Sequence, residues 1–345
     1  MQRMTFRIVT VLAGAPIGGA ETFFTTLTTA LARAGFDVQS VLKPNAFREA
    51  ALRQAGIKFA TAPFRLPFDW TTTRAIQKAA EQFCPDVVLA FAGRAARFVP
   101  QGRHKVVGRL GGYYNLANFR RCDHLVCNSA DVVRHVIERG WPKTGVTLIP
   151  NFAFVPPSGP VRRADFGTPD AAPVALALGR LHIKKGLDLL IRAAAMLPDL
   201  FVWIAGDGPE KQKLVQLAHA LDVQERVRFL GWRQDRAALY AAADVCVYPS
   251  REEPFGNIVV EAWSCGIPLV TTRTAGPSWL VRNGEDALLS PLEDVPALAQ
   301  AIRTVLDSRE LRDSLVEHGR QRIGSEFSEA AIVGRYADMF RVLTD

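Results

Sequence analysis

Several things are scarce in this chain, and each scarcity excludes a class of function. The five cysteines, Cys84, Cys122, Cys127, Cys246 and Cys265, are odd in number and form no C-x-x-C pair. They sit in apolar stretches, as reduced core thiols of a cytoplasmic protein do, so no disulfide framework is expected. No segment approaches the ~18 consecutive apolar residues of a membrane span. The chain carries 42 Lys and Arg against 34 Asp and Glu, a net charge of +8, yet no long basic block and no nucleic-acid motif. A nucleic-acid partner is therefore not expected, while an anionic membrane surface or a phosphorylated substrate remains compatible. Asp-x-Asp is absent, so a metal-held diphosphate has no obvious ligands, and no metal site or cofactor is expected. The glycine loop near the start is not G-x-G-x-x-G, which argues against a dinucleotide. Residues 1–20 faintly resemble a signal peptide, but Gly18-Gly19 leads straight into a helix, and strand plus loop is the better reading.

What the chain does have is length for two ordinary domains, 345 residues at 48% hydrophobic and 22% charged, the composition of a globular enzyme. Apolar runs alternate with helical stretches. Strands are expected at 6–12, 37–42, 57–62, 86–91, 105–110, 124–127 and 146–149, with helices at about 20–34, 47–55, 71–83 and 130–139 between them. After a Pro-, Gly- and charge-rich stretch the pattern restarts, with strands at 174–178, 200–205, 227–230, 245–248 and 268–272. Helices at 186–197, 209–221 and 236–243 alternate with them, and helices at 295–308, about 310–321 and 328–343 end the chain. This β-α-β order implies parallel sheets with right-handed crossovers. We expect an α/β fold of two doubly wound, Rossmann-like domains, residues 1–155 and 174–326, joined by a linker at 156–173. The helix at about 327–345 is expected to cross back to the first domain. Ligands of such folds bind at the carboxyl ends of the strands, here between the two halves.

The stretch from Ser250 to Gly266 organises the second half. Glu252, Glu253, Pro254 and Gly256 break the preceding strand, and a helix begins at Phe255 or Asn257. It stops at Gly266, suited to the left-handed position after a helix end. The unpaired N–H groups of its first turn, behind a Gly, are a seat for phosphate. Glu253 and Glu261 are eight residues apart. A helical rise of about 1.5 Å per residue would separate them by roughly 12 Å. Retaining glycoside hydrolysis needs carboxylates roughly 5–5.5 Å apart, so the pair reads as binding groups. In the loop Gly179-Arg180-Leu181-His182-Ile183-Lys184-Lys185-Gly186, Arg180 and Lys185 follow a strand end, where two cations can meet a diphosphate. Gly18-Gly19 occupies the corresponding loop of the first half and lets backbone amides approach a ligand.

Taken together, these glycine loops, Gly206-Asp207-Gly208-Pro209, Asn128-Ser129, Ile149-Pro150-Asn151 and the Glu253–Glu261 pair resemble the retaining glycosyltransferases of the GT-B fold, glycosyltransferase family 4. The resemblance covers most of the chain and is strongest over residues 174–272. It implies that Arg180 and Lys185 hold the diphosphate of a nucleotide-sugar donor, Glu261 the ribose and Glu253 the transferred sugar. Amides near Phe255, Gly256 and Asn257 would assist the phosphates, the backbone at Leu230-Gly231 would meet the base, and Gly19 would close over the donor. Many relatives place a His after the strand that here is 105–110; this chain reads Gly108-Arg109-Leu110-Gly111-Gly112-Tyr113-Tyr114-Asn115. Arg109, Tyr113 and Asn115 are the replacement candidates on the acceptor side.

Arg94, Arg97, Arg103, Arg109, Arg120 and Arg121 make the first half locally basic, which suits either a phosphorylated glycolipid acceptor or an anionic membrane surface. The expectation is a metal-independent retaining transferase acting on a glycan or glycolipid hydroxyl, in polysaccharide or lipopolysaccharide synthesis. It would be cytoplasmic or peripheral on the inner membrane face. A nucleotide-sugar epimerase, a sugar phosphorylase and a catalytically silent nucleotide-sugar-binding protein are the competing readings.

Overall fold

The computed structural model describes residues 6–15, 18–65 and 69–345. Pro16 and Ile17 of the first glycine loop, and the first five residues of the leader-like start, lie outside them. The chain divides into two compact units, Met1–Asn151 with Ser328–Asp345, and Phe152–Phe327.

Among the described residues the first unit is a seven-stranded parallel sheet. Its strands are β1 (Arg7–Leu12), β2 (Asp37–Leu42), β3 (Lys58–Thr61), β4 (Val87–Phe91), β5 (Lys105–Leu110), β6 (His124–Cys127) and β7 (Val146–Leu148). The spatial order is β3-β2-β1-β4-β5-β6-β7. Helices α1 (Gly19–Arg33), α2 (Ala46–Gln54), α3 (Trp70–Phe83), α4 (Ala92–Phe98) and α5 (Ala130–Glu138) connect them. The second unit repeats the plan with β8 (Val174–Leu178), β9 (Phe201–Ala205), β10 (Val227–Gly231), β11 (Val245–Tyr248), β12 (Leu269–Thr272) and β13 (Leu288–Ser290). They lie in the order β10-β9-β8-β11-β12-β13. Its helices are α6 (Leu187–Ala195), α7 (Lys211–Ala220), α8 (Arg236–Ala242), α9 (Asn257–Cys265), α10 (Ala275–Leu280), α11 (Val295–Asp307) and α12 (Arg309–Ser325). The last helix, α13 (Glu329–Thr344), is capped by Ser328 and packs on α1 through a bidentate Arg33–Glu329 pair, with Phe340 edge-on to Phe6.

Strands β4, β8 and β11 read as unbroken apolar runs because a parallel sheet is covered by helices on both faces; every residue of these three and of β12 is buried. In each sheet the strand order reverses once, between β1 and β4 and between β8 and β11. Loops leaving the carboxyl ends of such a pair diverge and leave a crevice. The β8–β11 pair therefore brings the Arg180 loop and the Glu253 loop together.

The observed β5, β6 and β11 have the expected limits, and α9 ends at Gly266 with φ 66. The apolar pattern did not pick out α4, α10 or β13. They are three to seven residues long, too short for a periodic signal. Residues 156–173 were expected to be a linker, yet they are fastened to the second unit. Arg163 bonds Ala242 O at 2.9 Å and Asp244 Oδ2 at 2.9 Å. Phe166 lies edge-on to Trp203, whose Nε1 donates to Thr168 Oγ1 at 3.0 Å. Composition marked the Pro and Gly of this stretch but not the anchoring of its Arg and Phe.

Candidate functional site

The loop after β8 is held from two sides. Leu181 N donates to Asp207 O at 2.9 Å and Glu210 N to Leu181 O at 3.1 Å. A Cβ on Gly206 would lie 1.8 Å from Gly179 O, and one on Gly208 2.3 Å from Leu181 O. The Gly206-Asp207-Gly208-Pro209 motif is thus the seat on which the Arg180 loop rests. On the other side Arg251 N donates to Lys184 O at 2.8 Å, and a Cβ on Gly186 would lie 2.0 Å from Pro249 O. The Arg251 guanidinium bonds both Asp188 oxygens at 2.6 and 2.7 Å and reaches Glu293 at 2.6 Å. The two loops are tied to each other through backbone and side chain.

Lys185, Tyr248 and Glu253 form its centre. Lys185 Nζ donates to Glu253 Oε2 at 2.6 Å and to the Tyr248 hydroxyl at 3.0 Å, and that hydroxyl donates to Glu253 Oε2. Burial works against the Lys185 charge, but Tyr248 and Glu253 outweigh it and raise the ammonium above its ordinary value. Burial, then Glu253, pushes the Tyr248 phenol up as well. At neutral pH Lys185 is therefore an ammonium and Tyr248 a neutral phenol. Arg180, in the same loop, is exposed and has no hydrogen-bonding or ion-pair partner among the described residues. Of the loop's three cations, Lys184 and Lys185 are paired with Glu252 and Glu253, and among the described residues Arg180 is left over.

Glu261, 8% exposed, is held separately. Arg236 Nη1 donates to both its oxygens at 2.9 and 2.7 Å, and Tyr240 OH to Oε2 at 3.2 Å. Burial raises the Glu261 carboxyl, and Arg236 followed by Tyr240 opposes that rise. Glu253 and Glu261 thus have different cations and share no partner, as two binding groups do. The start of α9 lies between them, with Gly256 at φ 99 as its cap residue and no side-chain cap. The Phe255 side chain is buried and leaves only its backbone to a ligand; Gly276 N donates to Glu253 O at 2.8 Å, and its missing Cβ makes room for Phe255 O. Ser250 Oγ and Thr274 Oγ1, buried at the ends of β11 and β12, lack a hydrogen-bond partner among the described residues. Gly231 closes β10 at φ 68, just after a register shift, and the indole of Trp232 beside it is 54% exposed.

In the first unit Gly18 is extended, with φ 173, so its need for glycine is spatial. A Cβ there would lie 2.3 Å from Glu21 Oε2, and Glu21 Oε1 also accepts from Ala15 N at 2.7 Å. Gly19 is exposed as the first residue of α1. The acceptor-side candidates need correcting. Arg109 is 2% exposed, lies over the Phe23 ring at 4.2 Å and bonds Asn151 Oδ1; it is an internal fastening and offers no surface to an acceptor. Asn115 spends its side chain on Ala117 N, capping the 3-10 turn Leu116–Phe119. Tyr113 is 41% exposed, with its hydroxyl on Asp131 and its ring tilted on His135.

Sequence reasoning missed Tyr248, Arg236, Tyr240 and the start of α10 with its cap residue Thr274. A signal existed for two of them: Arg236 and Tyr240 are i and i+4, one face of α8.

Residues 160–322 match the family model described as glycosyl transferases group 1, and residues 17–153 that of glycosyltransferase family 4. The chain is 35% identical over 336 residues to the lipopolysaccharide core biosynthesis glycosyltransferase LpsE of Rhizobium meliloti (strain 1021), covering 93% of this chain and 95% of the relative. LpsD of the same organism, with the same description, is 35% identical over 330 residues, covering 94% and 95%. Among solved structures, Anabaena HepE in complex with UDP and glucose shares the fold with a TM-score of 0.85 at 22% identity, covering 98% of this chain and 100% of that one.

Proposed function

This chain belongs to the glycosyltransferases of family 4 and group 1, and from that premise we propose that it moves a sugar from a nucleotide-diphosphate donor to a hydroxyl of a lipopolysaccharide-core type acceptor, with retention at the anomeric carbon. The observation that carries the donor half is the exposed Arg180, without a partner among the described residues, in the same loop as Lys185, whose charge Glu253 already answers. A departing nucleoside diphosphate gains negative charge, and a preorganised guanidinium, an ammonium and the amides of Phe255, Gly256 and Asn257 stabilise it. Glu253 orients the transferred sugar, Glu261 accepts from the ribose, and the backbone at Gly231 meets the base. In a front-face displacement the acceptor hydroxyl bonds to the anomeric carbon as the sugar–phosphate bond breaks, and the leaving phosphate takes the hydroxyl proton. These cations make a divalent metal dispensable. The core-glycosyltransferase description of LpsE and LpsD supports the acceptor class and a cytoplasmic or peripheral setting.

The test is thermal stabilisation by a panel of nucleoside diphosphates and nucleotide sugars in chelator, starting from UDP and UDP-glucose, because UDP is bound in HepE. A ligand at 100 times its dissociation constant adds about 2.7 kcal/mol. One nucleotide sugar should shift the parent and not Arg180→Ala, and the anomeric configuration of the transfer product should match the donor's. A folded protein that answers to no nucleotide refutes the donor site, and an inverted product refutes retention.

A further inference from the structure

Lys185, Tyr248 and Glu253 share their protons unevenly. The Tyr248 hydroxyl has one proton, which goes to Glu253 Oε2, and its oxygen accepts from Lys185 Nζ at 3.0 Å. Lys185 Nζ also donates to the same Oε2 at 2.6 Å. Oε2 therefore holds two donors, while Oε1 has no hydrogen-bond partner among the described residues. The ammonium has three protons and spends two here, so one remains. Tyr248 is 4% exposed, whereas the side chains of Lys185 and Glu253 retain 27% and 14%. The phenol is the buried member, and the pair that it holds is the part a ligand can reach. Tyr248 is also the fixed member. It ends β11, which lies between β8 and β12, and Thr271 Oγ1 donates to its backbone carbonyl at 2.8 Å. Lys185 and Glu253 sit on loops, and Lys185 Nζ lies over the Tyr248 ring, 5.2 Å from its centroid.

We propose that Tyr248 is a positioning residue for the transfer: by occupying Oε2 from the strand, its hydroxyl keeps Glu253 Oε1 for one hydroxyl of the transferred sugar. The inference rests on the transferase reading above and deepens its account of the donor sugar. An ammonium is a compact charge on a flexible stem, so Lys185 alone does not settle which oxygen of Glu253 it takes. Without the phenol the carboxylate can turn and offer both oxygens to Lys185, and each charge then answers the other instead of the donor. Packing alone would be served by a phenyl ring, and a buried hydroxyl costs stability unless it is bonded. Here both bonds of that hydroxyl go to the two charged groups of the site. The sugar that fits carries a hydroxyl at the carbon facing Oε1, since a deoxygenated carbon would leave that oxygen unmet.

The test compares UDP with UDP-glucose, or the nucleotide and nucleotide sugar that replace them in the thermal-shift panel, by titration calorimetry and by turnover read as nucleotide release. The proteins are the parent, Tyr248→Phe, Glu253→Gln and the double variant, each checked for folding by its thermal midpoint. Tyr248→Phe should keep UDP affinity within about threefold, bind UDP-glucose about tenfold more weakly and turn over about tenfold more slowly, the loss expected of one hydrogen bond to a charged group. Added to Glu253→Gln it should change sugar binding and turnover by no more than about twofold, because the oxygen that it positions is already gone. The parent's discrimination against singly deoxygenated UDP-glucose should fall in Tyr248→Phe at the one position that meets Oε1. Equal weakening of UDP and UDP-glucose, which a displaced Lys185 or a loosened fold would give, overturns the inference. So does a loss that adds in full to that of Glu253→Gln, or a Tyr248→Phe variant indistinguishable from the parent. A parent that binds no nucleotide refutes the transferase reading, and this inference with it, before any variant is compared.

Discussion

Arg236→Ala isolates the force that sets the second unit's buried carboxylate. Glu261 is 8% exposed and receives two hydrogen bonds from Arg236 and one from Tyr240. Truncation leaves a buried carboxylate with one neutral donor. Breaking a buried pair from one side costs about 3–5 kcal/mol, and because the Arg236 side chain retains 26% exposure the lower end, about 3 kcal/mol, is expected. In a unit of this size that lowers the midpoint of thermal unfolding by about 6–12 °C. The pH dependence is diagnostic. Burial already raises the Glu261 carboxyl, with Arg236 the main restraint, so its removal raises the folded value further above the unfolded one. The native state then binds the proton more tightly than the unfolded state, and stability rises as pH falls. The deficit should be largest near pH ~8 and shrink as pH falls through the raised folded value toward the ordinary carboxylate range. Adding Glu261→Gln should recover most of the loss, since an amide needs no counter-charge. Denaturant unfolding of the single and double variants across pH decides it. A cost under about 1 kcal/mol, or a deficit flat with pH, would refute the claim that Arg236 holds a buried carboxylate in its charged state.

Glu253→Gln removes the carboxylate from Lys185 and Tyr248; transfer should fall by about a hundredfold or more, while affinity for the nucleoside diphosphate without its sugar stays near the parent's in titration calorimetry. Gly206→Ala places a methyl 1.8 Å from Gly179 O, so the Arg180 loop must shift. We expect a loss of about 1–3 kcal/mol together with weakened nucleotide binding that Arg180→Ala does not worsen. Arg251→Ala unties Asp188 and Glu293 from the Glu253 loop at a cost of about 1–2 kcal/mol, part-exposed as the partners are. Burial of Asp188 is outweighed by Arg251, which lowers its carboxyl. The parent should therefore lose this contribution as pH falls through the depressed value, and the alanine variant should show no such loss in acid unfolding.

The sheets were legible because residues buried on both faces, such as Val87–Phe91 and Val174–Leu178, need no alternation to be recognised. The stop of α9 at Gly266 was legible for a local reason, a left-handed backbone position. What escaped depends on contacts distant in sequence. Tyr248 belongs to the centre through a bond to Lys185, 63 residues away, and Arg236 meets Glu261 across 25. Neither partner leaves a mark on the other's neighbourhood. Arg109 was misread because an Arg among glycines and tyrosines looks solvent-facing, whereas a ring stack on Phe23 and a bond to Asn151 let the guanidinium lie inside. The basic interval between Asp86 and Asp123 was plain in composition, but α4, which aligns Arg94 and Arg97, was too short to be read.

The return of α13 to the first unit has a consequence for synthesis. Domains generally fold as units in the order in which they leave the ribosome, but here residues 328–345 belong with residues 1–151. The first-made half therefore emerges with the groove on α1 bare, its Arg33 and Phe6 awaiting Glu329 and Phe340, until the whole second half has been translated. Loss of residues 328–345 would damage the unit to which residues 1–151 belong, not the one that precedes them in the chain.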